Sequence, residues 1–531
     1  MPERTTPNSP SASIPPTTPR RRSRLRRPRA VAGVAASAAV LLGTVGVLAG
    51  CSMIPGLLDG GRVNTVGTVD FTNPLAIPPL AESTVDADGT RIFELTAQTG
   101  STEFHPGVTT ETWGFNGSYL GPTLVAHRGE RVRVDIRNEL AEPTTVHWHG
   151  MHLPAEMDGG PHQVIEPGDE WSPTWTIDQP AATLWYHPHP HDETEEHVRH
   201  GLAGLFYVQD DVEDALPLPQ EYGVDDVPLI VQDAQFNSTG ELKGTNKGFV
   251  GALGNEILVN GTAGPYLDVS TALVRLRLLN ASTARTYSFG FDDGRSYDLV
   301  ATDGGLLERP VPLEHLRLSP GERAEIVVRM LPGETTVLRS ATPDLGIEGD
   351  GGAQNGGADS FDVLDLRAAA VLVSAASVPP RLTSIDRLDP ADAATTRELH
   401  LDGCEINGQP MDMDRIDQVV NVGDTEVWNV VNDMDRPHNF HIHDVQFQVA
   451  GIDGSPPPPE LGGWKDTIYL PPHRHFQLVM RFDDYSDAKY PYMYHCHLLW
   501  HEDRGMMGQF VVVKPGQHVT MTTGENAHHE H

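Results

Sequence analysis

Cysteine is rare in this sequence, with only Cys51, Cys404 and Cys496 in 531 residues. Three cysteines are too few for the disulfide framework that stabilises many small secreted proteins. Cys404 and Cys496 could pair with each other. The residues around Cys496 indicate a metal site instead, so we expect no disulfide between them.

Basic side chains are also scarce. The chain has 38 Lys and Arg residues against 73 Asp and Glu residues, and its formal net charge is −35. Such a surface argues against nucleic acid as a partner. Two interpretations stay open: the charge serves solubility alone, or it attracts cationic ligands.

Helical periodicity is the third feature that the sequence lacks. Short alternating runs such as "RVRVDIRNEL" and "HFQLVMRF" recur between turns that contain many of the 52 Gly and 43 Pro residues. Alternation of period two is typical of half-buried strands. The pattern predicts an all-β protein of three β-sandwich domains, at residues 66–212, 225–375 and 385–516.

Both ends of the chain differ from this body. Residues 1–50 combine an arginine-rich segment with an apolar run, which predicts a signal peptide. The sequence "LAGC" at its end resembles a lipoprotein motif, so we expect Cys51 to be lipidated, residues 51–65 to form a tether, and the body to lie at the outer face of a bacterial cell membrane. An uncleaved membrane anchor is the alternative, and the export route stays open. Residues 517–531 are interpreted as a flexible, solvated tail whose histidines could also bind metal.

Histidines are concentrated in four motifs: "HWHG" at 147–150, "WYHPHPH" at 185–191, "HNFHIH" at 438–443 and "HCHLLWHEDRGMM" at 495–507. Side chains at positions i and i+2 of a strand lie on the same face. Each motif therefore presents two imidazoles together, and the four motifs supply eight. These eight are His147, His149, His187, His189, His441, His443, His495 and His497. Their number exceeds the needs of one tetrahedral zinc site and suits copper.

Cys496 alternates with His495 and His497, so its sulfur is expected on the opposite face. There it can meet His438, together with His501 and Met506 from the following loop. Two histidines, a cysteine and a weak axial methionine form the ligand set of blue-copper electron-transfer sites. The pattern predicts two metal sites, back to back. Spacing alone leaves one choice open in the second motif. His189 and His191 are also two residues apart and could form the pair in place of His187 and His189.

With these motifs, the sequence resembles the three-domain multicopper oxidases, in particular the group of bacterial copper-efflux oxidases, bilirubin oxidases and spore-coat laccases. The resemblance covers about residues 66–515 and includes "HWHGMHLPAEMDGG", "LVNGT", "WKDTIYLPP" and "HCHLLWHEDRGMMG". It implies three cupredoxin-like Greek-key β-sandwiches, with a metal cluster between the first and third and a middle domain that acts as a spacer. It also favours His187 and His189 over the register that uses His191.

The resemblance implies four copper ions as cofactors. Its ligand set gives the type-1 copper His438, Cys496, His501 and Met506; the type-2 copper His147 and His441; and the type-3 pair His149, His187, His189, His443, His495 and His497. Asp158 and Glu502 match positions that the family uses for proton relay; the alternative for each is a solvated or supporting carboxylate.

The implied function is that of a laccase-like oxidase, which takes single electrons from phenolic or other small reductants and reduces dioxygen to water. The expected partners are dioxygen and the donor, with the membrane reached only through the lipid anchor or signal segment, and the chain is expected to be a monomer. A methionine-rich segment like that of the copper-efflux oxidases is missing, since "EINGQPMDMDRIDQVV" offers only Met411 and Met413 near the type-1 site. The alternatives are a cuprous or manganese ion oxidase, a copper store, and a non-enzymatic scaffold.

Overall fold

The computed structural model describes residues 62–244, 249–349 and 351–519. The predicted signal peptide, Cys51, most of the predicted tether and most of the predicted tail lie outside these residues. Arg62 to Thr65, the end of the predicted tether, are described, and they contact the middle of the chain. The backbone N–H of Thr65 donates to the carbonyl of Ser360 at 3.0 Å.

Strands dominate, as predicted. The first eleven are β1 (Asn73–Pro74), β2 (Ser83–Val85), β3 (Arg91–His105), β4 (Val108–Phe115), β5 (Leu124–His127), β6 (Arg131–Asn138), β7 (His147–His149), β8 (Glu170–Trp171), β9 (Thr174–Thr176), β10 (Ala182–His187) and β11 (Gly204–Gln209).

The next twelve form the middle of the chain. They are β12 (Asp226–Ala234), β13 (Glu256–Val259), β14 (Thr262–Ala263), β15 (Pro265–Thr271), β16 (Leu273–Asn280), β17 (Tyr287–Phe291), β18 (Tyr297–Thr302), β19 (Gly305–Leu313), β20 (His315–Leu318), β21 (Arg323–Arg329), β22 (Thr335–Ser340) and β23 (Phe361–Val373).

The last ten strands are β24 (Thr395–Asp402), β25 (Glu405–Ile406), β26 (Gln418–Asn421), β27 (Thr425–Asn432), β28 (His438–Ile442), β29 (Phe447–Ile452), β30 (Thr467–Leu470), β31 (His475–Arg481), β32 (Tyr492–His495) and β33 (Met507–Val513). Short helices lie between strands: α1 (Thr194–His200), α2 (Asp211–Asp214), α3 (Gly351–Gln354), α4 (Leu499–Glu502), and the 3-10 turns Ala155–Met157, Pro390–Asp392 and Pro459–Leu461.

The strands of the described residues assemble into six sheets, two for each predicted domain. Strands β2, β3, β4, β6, β8 and β9 face the sheet β5-β11-β10-β7; β14-β13-β12-β16-β21-β18-β19 faces β1-β15-β23-β22-β17-β20; and β25-β24-β27-β31-β29 faces β26-β33-β32-β28-β30. Each pair encloses its own hydrophobic core. The all-β, three-sandwich prediction is therefore confirmed. The domain boundaries stay a prediction, and β1 pairs with β15 of the middle sandwich although it lies within 66–212.

The pattern in β6 shows why these segments become strands. Its sequence "RVRVDIRN" buries every second residue, so that Val132, Val134 and Ile136 enter the core of the first sandwich. Strand β16 departs from this pattern, because all of "LVRLRLLN" is buried. Arg275 and Arg277 are tolerated there since both pair with the carboxylates of Glu213 and Glu325. Buried charges need such partners.

Among the described residues, the structure contains no helix with the length and apolar character that a membrane crossing requires.

Candidate metal centre

The four histidine motifs lie on two pairs of neighbouring strands, one pair in the first sandwich and one in the third. In the first sandwich, β7 and β10 are antiparallel neighbours with His147 opposite His187. In the third, β28 and β32 are antiparallel neighbours with His441 opposite His495. His189, His443 and His497 lie just beyond the ends of their strands. In these three motifs, the second histidine of the predicted pair therefore follows the strand instead of belonging to it.

Cys496 lies on the opposite side from its neighbours, as the alternation predicts. Its Sγ atom is 3.6 Å from Nδ1 of His438 and 3.5 Å from Nδ1 of His501, and these two nitrogens are 3.1 Å apart. All three side chains are fully buried. His501 belongs to helix α4 rather than to the loop that the sequence suggested.

The sulfur site has the chemistry of a soft-metal site. Nε2–H of His501 donates to the carbonyl of Phe249 at 2.7 Å, which leaves Nδ1 as an acceptor facing the sulfur. The backbone N–H of Cys496 donates to the carbonyl of Met506, and both side chains belong to the core of the third sandwich. Cys404 and Cys496 are both free thiols in the structure.

The other eight imidazoles meet between the first and third sandwiches. Ligand-capable atoms converge within 4.8 Å in three sets: His147, His149 and His441; His149, His187 and His497; and His189, His443 and His495. Each set includes side chains from both sandwiches. Two pairs of rings stack across the junction: His147 on His443, with centroids 3.8 Å apart, and His149 on His441, at 3.7 Å.

Most of these rings direct one nitrogen outward to an oxygen. Three rings donate from Nδ1–H to a backbone carbonyl. His147 donates to Asp158, His441 to Asp466 and His187 to Pro188. A carbonyl can only accept, so Nε2 of each ring must be the acceptor nitrogen. His149 is oriented the other way, with Nε2 near Asp466 and Nδ1 3.4 Å from Nε2 of His187. This orientation of one nitrogen by an outer partner is typical of metal-bound histidine.

The inward nitrogens fit a metal for a second reason. Nε2 of His147 and Nε2 of His441, the nitrogens left as acceptors, are buried and have no hydrogen-bond partner within the described part of the chain. Buried polar atoms are normally bonded, so these atoms are explained by a bound ion. Cu and Zn both accept imidazole, but a cysteine with two histidines beside an eight-histidine cluster favours copper.

Burial favours the neutral form of His189, His441, His443, His497 and His501, and metal binding requires neutral imidazole. Desolvation lowers the pKa of His189 and of His497 to about 3 and that of His501 to about 4. For His441 and His443, burial and then the neighbouring imidazoles lower the pKa well below its usual value. Without a metal, burial raises the pKa of the Cys496 thiol to about 12.

The two predicted relay carboxylates lie beside the cluster. Asp158 Oδ2 accepts from Nδ1 of His443 at 2.7 Å, across the junction between the first and third sandwiches. The oxygens of Glu502 are 3.4 Å from Nδ1 of His189 and 3.1 Å from Nδ1 of His495. Both carboxylates are almost fully buried, so neither is a solvated surface group.

Sequence reasoning missed Asp466. This residue lies in the quoted motif "WKDTIYLPP", but no role was predicted for it. Its Oδ1 is 3.1 Å from Nε2 of His149, and Arg323 of the middle sandwich pairs with both of its oxygens. The motif could have revealed this role. A carboxylate directly before a buried strand is itself buried and needs a hydrogen-bond or charge partner.

The remaining histidines lie outside the cluster. The side chain of His191 is 37% exposed and contacts Asp192, so the structure brings His187 and His189 to the site instead. His152 lies between Asp444 and Asp484. His197 is buried, with its Nδ1 3.1 Å from Oγ1 of Thr144.

Comparison with known proteins adds the family context. Two family models described as multicopper oxidase match residues 96–213 and 377–516. The chain is 36% identical over 448 residues to the multicopper oxidase mco of Staphylococcus haemolyticus, covering 83% of this chain and 92% of that protein. It is 37% identical over 443 residues to the cell division protein FtsP of Escherichia coli, with coverage of 83% and 92%.

Solved structures agree with this result. The laccase-like multi-copper oxidase CueO from the lignin-degrading bacterium Ochrobactrum sp. superposes with a TM-score of 0.76 at 36% identity, covering 83% of this chain and all of that one.

Proposed function

This chain belongs to the multicopper oxidase family, and we propose that it is a laccase-like oxidase that couples one-electron oxidation of small reductants to reduction of dioxygen to water. The three sandwiches are cupredoxin-like. The observation that carries the proposal is the convergence of eight buried imidazoles beside a separate site of one sulfur and two imidazoles.

We assign four copper ions to these residues. His438, Cys496, His501 and Met506 would hold the type-1 ion. His147 and His441 would hold the type-2 ion. The type-3 pair would use His149, His187 and His497 for one ion and His189, His443 and His495 for the other. Bound copper would supply one-electron redox chemistry at the sulfur site and the four-electron reduction of dioxygen at the histidine cluster.

The chain itself provides the connection between the two sites. His495 and His497 are each one peptide link from Cys496, so an electron received at the sulfur site has a short covalent path to the histidine cluster. Four donor oxidations supply the four electrons that convert one dioxygen and four protons to two waters.

Asp158 and Glu502 are proposed to hold and move these protons. Each carboxylate contacts an outward imidazole nitrogen of the cluster, Asp158 at His443 and Glu502 at His495. A buried carboxylate in this position can take a proton at an oxygen atom and release it toward the cluster.

The proposed donors are phenols or other small aromatic reductants. The Ochrobactrum relative is described as having oxidase activity towards lignin model compounds and lignosulfonate, which supports this class. A cuprous or manganese ion oxidase is the second candidate for the donor, favoured by the negative charge of the chain. The FtsP relatives are named as cell division proteins, which makes a scaffold the third candidate, although every ligand position is filled here.

An oxygen electrode tests the proposal. Copper-loaded protein is supplied in turn with a chromogenic phenol, bilirubin, Cu(I) and Mn(II), and dioxygen consumption is recorded. We expect consumption with the phenol, and the Cys496→Ser variant serves as the control without a sulfur site. Copper-loaded protein that consumes no dioxygen with any donor would exclude an oxidase and leave the copper store or the scaffold.

We also propose that residues 1–50 direct export, that Cys51 carries a lipid at the outer face of the cell membrane, and that the mature chain is a monomer with domains at 66–212, 225–375 and 385–516. Labelling with a radioactive fatty acid, with Cys51→Ala as control, tests the anchor. An unlabelled wild-type protein would contradict it.

A further inference from the structure

We propose that Arg323 of the middle sandwich is a positioning residue for the histidine cluster, which it organises by holding Asp466. This inference rests on the proposed copper function. It gives the middle sandwich a role beyond that of the spacer that the sequence suggested.

Arg323 joins all three sandwiches through one guanidinium. Nη1 and Nη2 donate to the two carboxylate oxygens of Asp466 in the third sandwich at 2.6 and 2.7 Å. Nε donates to the carbonyl of Thr183 in the first, and Nη2 also donates to the carbonyl of Asp303 in the second, both at 3.0 Å. The side chain is fully buried. Such a two-pronged contact fixes direction as well as distance.

Asp466 transmits this position to two rings of the cluster. Its Oδ1 is 3.1 Å from Nε2 of His149, and its backbone carbonyl accepts from Nδ1 of His441 at 2.9 Å. These two rings, one from each outer sandwich, stack face to face at an angle of 10°. One aspartate therefore sets the orientation of both members of the stack.

The neighbouring charges leave no substitute for Arg323. Lys465 is the nearest cation in sequence to Asp466, but its ammonium already pairs with Asp303 at 2.9 Å and Glu322 at 3.0 Å. Without the guanidinium, the buried carboxylate of Asp466 would lose its charge partner and the two contacts that fix its orientation. The carboxylate could then turn away from Nε2 of His149.

Copper retention tests the proposal. Wild-type, Arg323→Met and Arg323→Lys proteins are loaded with copper and exposed to a chelator, and the copper per chain is followed with the thiolate-to-copper absorption and the paramagnetic resonance spectrum. We expect both variants to lose copper from the histidine cluster roughly 10- to 100-fold more readily. The sulfur site should keep its absorption. Arg323→Lys should not restore copper retention at the cluster, because an ammonium cannot form the two-pronged contact of a guanidinium with a carboxylate.

Arg285→Met is the matched control. Arg285 is an equally buried arginine of the same sandwich, but its guanidinium pairs with Asp233 and Asp359. A merely structural effect of removing a buried arginine would also appear there. If Arg323→Met does not fold, Asp466→Asn provides the same comparison, and selective loss of cluster copper is again expected.

Two results would overturn the inference: Arg323 variants that retain cluster copper like the wild type, or equal loss from both sites. Neither result would contradict the proposed function as long as the wild-type protein consumes dioxygen. Conversely, a wild type that binds no copper at the cluster would remove the proposed function itself.

Discussion

The imidazoles of His149 and His441 stack with their centroids 3.7 Å apart, although they belong to different sandwiches. His147 and His443 form a second stack of the same kind. The cluster is therefore complete only when the first and third sandwiches are docked. Ion binding and domain docking are expected to support each other.

Copper removal should lower the thermal stability of the protein. An ion that binds only the native state stabilises it by about 4 kcal/mol when its concentration is 1,000 times the dissociation constant. Calorimetry of copper-loaded and chelated protein measures the difference, and adding copper back should restore the transition. An unchanged unfolding temperature after complete removal would contradict the assigned cluster.

Replacing Cys496 by Ser should abolish the blue absorption and the oxidase activity while leaving the fold intact. The hydroxyl cannot replace the thiolate as a ligand for copper at the sulfur site. Absorption and circular dichroism spectra and an oxygen-electrode assay check the three parts of the prediction. Cys404→Ser is the control, since Cys404 contributes to neither metal site, and a blue band that persists in Cys496→Ser would refute the assignment.

Asp158→Asn and Glu502→Gln should slow dioxygen reduction, by roughly 100- to 10,000-fold if each carboxylate acts as a proton donor. Reduction of the sulfur site by donor in the absence of dioxygen should stay fast. Rapid mixing separates the two half-reactions, and copper analysis shows whether the ligands are still loaded. The exposed carboxylate of Glu196 provides a neutral comparison in Glu196→Gln. Equal slowing of both half-reactions would argue against proton relay.

Gly321→Ala should disturb the cluster from the side of the middle sandwich. Gly321 has a φ of +85°, and a Cβ atom there would lie 3.2 Å from carbons of His149 and His497. The backbone strain alone costs about 1–3 kcal/mol. Gly333→Ala is a matched control, because Gly333 has a φ of +73° and no atom within 4 Å of the added carbon.

Chemical unfolding should show a similar stability loss in both glycine variants, but only Gly321→Ala should change the paramagnetic resonance spectrum of the cluster. An unaltered spectrum in the loaded Gly321→Ala protein would contradict the close approach.

His152 should make stability depend on pH in the alkaline range. Burial alone would lower its pKa, but the carboxylates of Asp444 and Asp484 raise it to about 10. A group whose pKa rises on folding contributes stability that is fully present below about 6.5, its unfolded value, and is lost as the pH rises through about 10.

Urea unfolding of wild type and His152→Asn between these pH values checks this prediction. The stability difference between the two proteins should shrink as the pH rises. A difference that is constant across the range would show that His152 does not titrate in the folded protein.

Much of the site was predictable because strand geometry is local. Alternation of side chains at residues 495–497 places Cys496 on one face of the strand and its two neighbours on the opposite face. The HxH spacing places both histidines of each pair on the same face. The same logic left His191 as an alternative to His187, since a period of two cannot choose its own starting point. That choice depends on where β10 ends, which its pairing with β7 determines.

The sequence by itself determined the sandwiches, the paired imidazoles and the opposed sulfur, because each depends on residues that are close along the chain. Only the tertiary structure decided that Asp158 reaches His443 and that Arg323 holds Asp466. These contacts join residues more than a hundred positions apart, and their partners are chosen by how the sandwiches dock, which no local periodicity encodes.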